Sequence, residues 1–349
     1  MSSDAATSPV PQMKYVRLGN TGLRVSRLCL GCMSFGLSAW SPWVKEEKEA
    51  IEVIREAAKL GVNFFDTADT YSNGVSEEIL GKAIKGMDRS RIVIATKVFG
   101  PVFDDVNRLD RTGMKEDPAL VNRIGLSRKH IFDAVDASLK RLDVDYIDLY
   151  QIHRLDKDTP MEEIMEALND VVRSGKVRYI GASSMDTWEF QKLNSIAEKN
   201  GWAQFVSMQN LYNLLYREEE REMAPYCLDA RIGWIPWSPL AMGELVGKNR
   251  SSTRSSSTLT LGMFKATRDE IANNSIIDRV QEIAQKYNAT NAQIALAWEY
   301  TKPYVSSPIV GVSRIEQLKD LIGALDVKLT EEDVKYLEEP YSPKTISTE

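Results

Sequence analysis

Short apolar runs alternate with stretches of helical period along most of the chain. Residues 15–26 read as a hairpin. Val16 and Leu18 precede the turn signal Asn20-Thr21-Gly22, and Leu23 and Val25 follow it. Residues 28–33 form a short apolar strand. Over residues 45–60, Ala50, Val53, Ile54, Ala57 and Leu60 fall at helical spacing, and Gly61 supplies a stop. A strand at 63–68, a helix at 76–85 and a strand at 91–97 repeat the alternation. A long polar loop then runs to Gly125, where Ser127 can cap a helix whose inner stripe is Ile131, Val135, Leu139 and Leu142. Residues 146–153 are the fourth strand. Thr159-Pro160-Met161-Glu162 reads as a capping box with Pro at the first helical position, opening a helix that ends at Gly175. Four more strands are expected at 178–184, 205–210, 232–238 and 307–313. A Ser/Thr-rich loop near 251–260 and helices near 268–286 and 292–300 separate the last two, and helices at 316–325 and beyond Thr330 close the chain.

Eight short strands alternating with helices predict an α/β fold, a (β/α)8 barrel with an N-terminal β-hairpin and extra C-terminal helices. The competing arrangement is a doubly wound sheet. Its dinucleotide-binding form needs a glycine fingerprint, and no two glycines in this sequence are two apart. With no linker in sight, residues 13–349 are expected to be one domain. The preceding Ser-, Ala- and Pro-rich residues 1–12 read as a disordered tail.

Composition narrows the function classes. A net charge of −6 without a basic run argues against nucleic acid and against an anionic membrane surface. No apolar run approaches the ~20 residues of a membrane helix, and residues 1–12 lack the apolar core of a secretory signal. Three cysteines, Cys29, Cys32 and Cys227, suit a reducing, cytoplasmic setting. Cys29-Leu30-Gly31-Cys32 has the spacing of a redox or zinc motif. A zinc site would need two further ligands, and His130 and His153 lie far along the chain. The pair also falls in an apolar run, so a buried strand without metal is the better reading.

In a barrel of this kind, functional groups gather at the C-terminal ends of the strands. Asp66 lies near the end of the second strand, with Tyr71 in the next loop. Lys97 ends the third and His153 the fourth. Ser183 and Ser184 end the fifth, Gln209 and Asn210 the sixth, Trp237 and Ser238 the seventh, Ser313 and Arg314 the eighth. Any one alone reads as a cap or a satisfied core residue. Together they suit acid catalysis by a phenol. A free Tyr has a pKa of ~10, and the Lys97 ammonium would lower it, with Asp66 holding Lys97 and His153 orienting the same oxygen. No side chain supplies a hydride, so reduction of a carbonyl requires a nicotinamide cofactor.

Phe65-Asp66-Thr67-Ala68 with Tyr71, then Ala95-Thr96-Lys97, then Gln151-Ile152-His153 agree in motif, order and spacing with a known catalytic tetrad. On these motifs the sequence resembles the aldo-keto reductase superfamily from about residue 14 to the last helix. Residues 28–35, 180–185 and 235–240 resemble its aryl-alcohol-dehydrogenase-like branch. The resemblance implies a TIM barrel and NADPH-dependent reduction of aldehydes or ketones, aryl aldehydes among them, to alcohols. It makes Tyr71 the acid, Lys97 and Asp66 its tuning pair, and His153 the residue that orients substrate. It also implies that Ser183 and Gln209 hold the nicotinamide amide and that Trp237, followed by Ser238, stacks on its ring. Leu240, Gly243, Leu245 and Lys248 would form the loop passing the pyrophosphate. Gly311, Ser313, Arg314 and Gln317 would surround the adenosine 2′-phosphate. Arg314 favours NADP, because a guanidinium presents a planar fork of donors to a phosphate.

Two positions depart from the family pattern: Ser184 and Leu321 stand where Asn is usual, which leaves use of NADH open. The expected partner is a small-molecule carbonyl substrate, bound by a monomer or weak homo-oligomer, with no nucleic acid and no membrane. Substrate choice would fall to Trp40, Trp43, the loop 99–125 and the tail after Glu339. A second class of function is a cofactor-binding regulatory protein of the same fold, resembling potassium-channel β subunits. A third, a sugar-phosphate aldolase with Lys97 as Schiff-base former, would leave Tyr71 and Gln209 without roles.

Overall fold

The computed structural model describes residues 11–108, 113–247 and 270–346. Most of the expected tail, the Ser/Thr-rich loop near 251–260 and Lys248 lie outside the described residues. A hairpin of β1 (Tyr15–Arg17) and antiparallel β2 (Arg24–Ser26) opens the chain. The barrel strands follow: β3 (Cys29–Gly31), β4 (Phe64–Asp66), β5 (Val93–Val98), β6 (Ile147–Ile152), β7 (Val177–Ser183), β8 (Phe205–Gln209), β9 (Gly233–Trp234) and β10 (Ile309–Val310). All eight are parallel, in the order β10-β3-β4-β5-β6-β7-β8-β9. The two edges meet: Trp237 bridges Ile309, and the Ile309 N–H donates to Pro236 O at 2.8 Å. The sheet therefore closes into the (β/α)8 barrel that the alternation predicts.

The helices are α1 (Glu47–Lys59), α2 (Val75–Ile84), α3 (Arg128–Leu142), α4 (Met161–Arg173) and α5 (Thr187–Asn200). They continue with α6 (Met223–Asp229), α7 (Glu270–Tyr287), α8 (Asn291–Tyr300), α9 (Ile315–Gly323) and α10 (Glu331–Glu338). Each of α1 to α5 buries an apolar stripe against the outer face of the strands, whereas α7 and α10 pack on one another. The hairpin plugs the bottom of the barrel. Leu18 is fully buried there with Cys29, Phe64, Val93, Leu149 and Ile235, and each such burial contributes about 1.5–3 kcal/mol over exposure. Gly19 makes the plug possible. Its φ is +57°, and a Cβ there would lie 2.6 Å from the Gly233 nitrogen.

Strand alternation decides what faces the barrel axis. Val93 and Ala95 of β5 pack inward with the hairpin plug, while Ile94 and Val98 face the helices. Continuing the inward set by two gives Lys97. Leu149 of β6 likewise leads inward to Gln151 and then His153, and Phe64 leads to Asp66. The apolar lower layers thus carry the polar top layer on the same face of the same strands.

Two local expectations fail. The capping box at Thr159 does not form: Pro160 occupies the N-cap position of α4 without a side-chain bond. The Thr159 hydroxyl instead donates to Asp156 at 2.6 Å, and the Glu163 carboxylate accepts the Arg128 N–H at 2.9 Å across to α3. The last two strands are also shorter than the runs 232–238 and 307–313, with two paired residues each. Both runs carry prolines, Pro236 and Pro308, which lack the N–H that a ladder needs.

Candidate active site

At the mouth of the barrel, β4, β5, β6 and β8 each contribute one inward polar side chain to a single buried network. The fully buried Lys97 ammonium donates to Asp66 Oδ1 at 2.5 Å, to the Thr67 carbonyl at 2.8 Å and to the Tyr71 hydroxyl at 3.3 Å. Asp66 Oδ2 accepts from Gln151 Nε2 and Gln209 Nε2, each at 3.0 Å. Gln209 Nε2 also donates to Gln151 Oε1 at 3.0 Å. Every donor and acceptor of the ion pair is engaged, which is the condition under which a buried pair is tolerated. Gly181 leaves room for it, since a Cβ there would lie 3.1 Å from Gln151 Cγ.

Tyr71 follows β4 in a tight turn, in which Ser72 and Asn73 adopt φ of 48° and 52°. Three hydrogen bonds secure this strained segment. The Ser72 hydroxyl accepts the Leu37 N–H at 3.2 Å, and the Asn73 amide donates to the Val106 and Arg108 carbonyls at 3.0 and 2.8 Å. The His153 ring meets the Tyr71 ring edge-on, centroids 5.7 Å apart, and Trp40 lies 6.3 Å from Tyr71 on another side. Sequence spacing could only permit Asp66, Tyr71, Lys97 and His153 to converge; the barrel brings them together.

The electrostatics of Tyr71 differ from expectation. Burial pushes its hydroxyl above the ordinary phenol value, and Lys97 pulls it down without overcoming burial. Burial alone would lower the Lys97 ammonium, but Asp66, with Tyr71 behind it, holds it above its usual value. Tyr71 is therefore a protonated phenol across neutral pH, beside a fixed positive charge.

These groups open onto a cleft of about 1400 Å³. Asp66, Tyr71 and His153 form one wall with Trp40, Trp43 and Phe99, while Lys97 lies behind Asp66 and Tyr71 rather than on the surface. Ser183, Gln209, Trp237 and Ser238 continue the wall. The Ser183 hydroxyl donates to the Gln209 carbonyl at 2.8 Å, and Trp237 Nε1 approaches Ser184 Oγ at 3.4 Å. The Ser184 N–H donates to Asn210 Oδ1 at 3.0 Å. Further along stand Leu240 and Gly243, then Gly311, Ser313, Arg314 and Gln317. Gln317 Oε1 accepts from the Ser313 N–H at 2.9 Å, and Leu321 lines the same end.

Some expected residues fall elsewhere. Leu245 is fully buried in the cluster holding α7 and α8 and does not line the cleft. Its N–H bonds back to Leu240 O at 3.3 Å, so the loop turns it inward. The described tail, to residue 346, also stays off the cleft. Tyr341 bonds to Glu218 at 2.6 Å and Lys344 to Asn273 at 2.9 Å, which pins the tail against Glu218 and α7. Of the described loop residues over 99–125, Phe99 and Gly100 reach the cleft. Cys29 and Cys32 are buried free thiols, raised by burial.

Two residues at the site were given no role by the sequence. Gln151 lies two positions before His153 on one strand, so strand period alone could have flagged it. Arg154 lines the cleft directly after His153, and only the exposed strand end hinted at it.

A model of the aldo/keto reductase family matches residues 27–341. The chain belongs to the aldo/keto reductase family. It is 50% identical over 340 residues to versiconal hemiacetal acetate reductase of Aspergillus parasiticus, covering 96% of this chain and 98% of that protein. It is 50% identical over 348 residues to a Schizosaccharomyces pombe protein named "Putative aryl-alcohol dehydrogenase", covering 96% and 97%. An aldo-keto reductase of Fusarium vanettenii is 43% identical over 347 residues, covering 96% and 93%. This oxidoreductase family acts on small-molecule carbonyl compounds and generally uses NAD(P)H. No helix among the described residues is long and apolar enough to cross a membrane.

Proposed function

We propose that this aldo/keto reductase is an NADPH-dependent carbonyl reductase that converts aldehydes or ketones, aryl aldehydes among them, to alcohols in the cytoplasm. The observation that carries the reading is the Tyr71 hydroxyl, 3.3 Å from a Lys97 ammonium that Asp66 holds, facing an open cleft. The cleft suits a dinucleotide. Its volume of about 1400 Å³ exceeds the ~300–1,000 Å³ of an ordinary small-molecule pocket. Gln209 spends its side-chain N–H groups on Asp66 and Gln151, which leaves its side-chain oxygen Oε1 for a ligand amide. Trp237 offers a ring on the same wall, and Arg314 stands exposed at the N-terminus of α9, a combination suited to a phosphate.

The nicotinamide supplies the hydride when bound. Tyr71 donates a hydrogen bond to the substrate carbonyl oxygen and gives up its proton as charge develops there. The Lys97 ammonium stabilises the phenolate that results, so the neutral phenol of the resting site becomes the better acid only as the reaction proceeds. Asp66, fixed by Gln151 and Gln209, keeps Lys97 aimed at Tyr71. His153 stands edge-on to the phenol and borders the position of the carbonyl. Burial keeps water from competing for the proton.

NADPH oxidation with a panel of aromatic and aliphatic aldehydes, NADH in parallel, tests the proposal. Tyr71→Phe should lower kcat by about 10²–10⁴-fold, the range of general acid catalysis, while nucleotide binding persists. Wild-type turnover in that variant would remove Tyr71 from the role.

A further inference from the structure

Arg154 follows His153 at the C-terminal end of β6 and lines the cleft beside Tyr71. Three other partly buried arginines meet carboxylates: Arg89 reaches Asp148 at 2.6 Å, Arg141 reaches Glu77 at 2.6 Å, and Arg217 reaches Glu220 at 2.7 Å, while Arg27 spends its guanidinium on the Val305, Ser306 and Tyr300 carbonyls. Arg154 meets no carboxylate within ion-pair distance among the described residues. Its hydrogen bond runs from Nη1 to the carbonyl of its own neighbour, His153, at 2.6 Å. A guanidinium has five N–H donors in a planar fork, so most donors of this cleft-lining side chain are uncommitted among the described residues. Burial holds its pKa below the usual value, and the opposing influence is the Tyr71 phenol, not an acid. A cation desolvated in this way gains from an arriving anion.

Position separates Arg154 from the proposed cofactor residues. Ser183, Gln209, Trp237 and Arg314 lie from β7 round to α9, whereas Arg154 lies on the β4–β6 side with Tyr71 and His153. Trp40 and Trp43, with ring centroids 5.9 Å apart, give that side an apolar wall. The wall suits an aromatic body and the guanidinium a carboxylate on it.

We infer that Arg154 determines specificity by receiving a carboxylate carried on the carbonyl substrate, so that the enzyme prefers anionic aldehydes and oxo-acids to their neutral esters. This rests on the carbonyl-reductase reading above.

The test compares kcat/KM for 2-, 3- and 4-carboxybenzaldehyde with that for each methyl ester. The wild-type protein should favour one acid over its ester by at least about tenfold, the effect of one charge-assisted contact. Arg154→Gln should lose that preference, and Arg154→Lys should keep part of it. A wild-type ratio near one for all three pairs overturns the inference and requires no variant. Equal losses on acid and ester in both variants, with the ratio unchanged, also overturn it, since Arg154 would then act only through the charge it places near Tyr71. A binding arm is independent of turnover. Benzoate should quench tryptophan fluorescence, with Kd raised at least about tenfold in Arg154→Gln. Arg154-dependent benzoate binding without reduction of any aldehyde would sink the reductase reading and leave the anion site standing. Aldehyde turnover with no benzoate binding and no acid preference would do the reverse.

Discussion

One phenol and one ammonium make a measurable pair. The Tyr71 hydroxyl is raised by burial, with Lys97 opposing. In the free enzyme it is protonated well past neutrality, so kcat/KM for reduction should stay flat and fall only as pH rises through a value above about 10. An alkaline limb below pH ~9 would contradict this assignment. Lys97→Met removes the influence that lowers the Tyr71 pKa. The limb should then move further up while the plateau drops, because the phenolate formed in the reaction loses its countercharge. The same variant leaves Asp66 buried with only its two glutamine donors. Breaking a buried pair costs about 3–5 kcal/mol, and Gln151 and Gln209 should hold the loss to the lower part of that range, read by urea denaturation.

Among the elements, the N-terminus of α9 carries the clearest cofactor question. Arg314 is its N-cap residue, exposed and extended at φ −148°, and no side chain caps the helix there. The first-turn N–H groups and the Arg314 side chain thus lie at one end of the cleft, where a phosphate would gain from both. Arg314→Ala should raise KM for NADPH about tenfold or more and leave KM for NADH nearly unchanged. Equal shifts for both nucleotides would take Arg314 away from the 2′-phosphate. Much of this element level was legible in the chain. The barrel followed from eight apolar runs alternating with helical stripes, and Ser127 capped α3 as its position suggested, accepting the His130 N–H at 3.2 Å. Thr290-x-x-Gln293 makes a true capping box on α8, while Thr159 in a similar motif does not. The difference lies in a competitor three residues upstream, Asp156, which accepts the Thr159 hydroxyl at 2.6 Å and takes it from the helix. Leu245 turned inward for a like reason, since a loop residue follows whichever apolar cluster it can reach. The site was legible as residue types at strand ends. Its electrostatics were not, because the balance at Tyr71 depends on how much water the whole mouth excludes.

The molecule as a whole buries acids in two ways, one at each end of the barrel. At the mouth, Asp66 is fully paired. Near the bottom, Glu299 of α8 is fully buried, and neither carboxyl oxygen has a hydrogen-bond partner among the described residues. The nearby cation, Arg27, is committed elsewhere. Its guanidinium donates to the Val305, Ser306 and Tyr300 carbonyls, tying the start of β3 to the segment before β10 and so fastening the barrel seam. Burial drives the Glu299 pKa far above the ordinary carboxylate value, with Arg27 opposing only in part. The folded state therefore keeps this proton while the unfolded chain releases it near pH ~4.3. Between those two values the folded state binds more protons, so this group's contribution to stability is greatest in acid and falls by about 1.4 kcal/mol per pH unit as pH rises. Glu299→Gln mimics the neutral acid and has no proton to lose. The variant should match wild type near pH ~4 and gain on it as pH rises above that, measured as the difference between paired urea titrations. A variant less stable at neutral pH would mean that Glu299 is ionised and serves Arg27 as a countercharge, so that the seam is held by an ion pair rather than by three carbonyls.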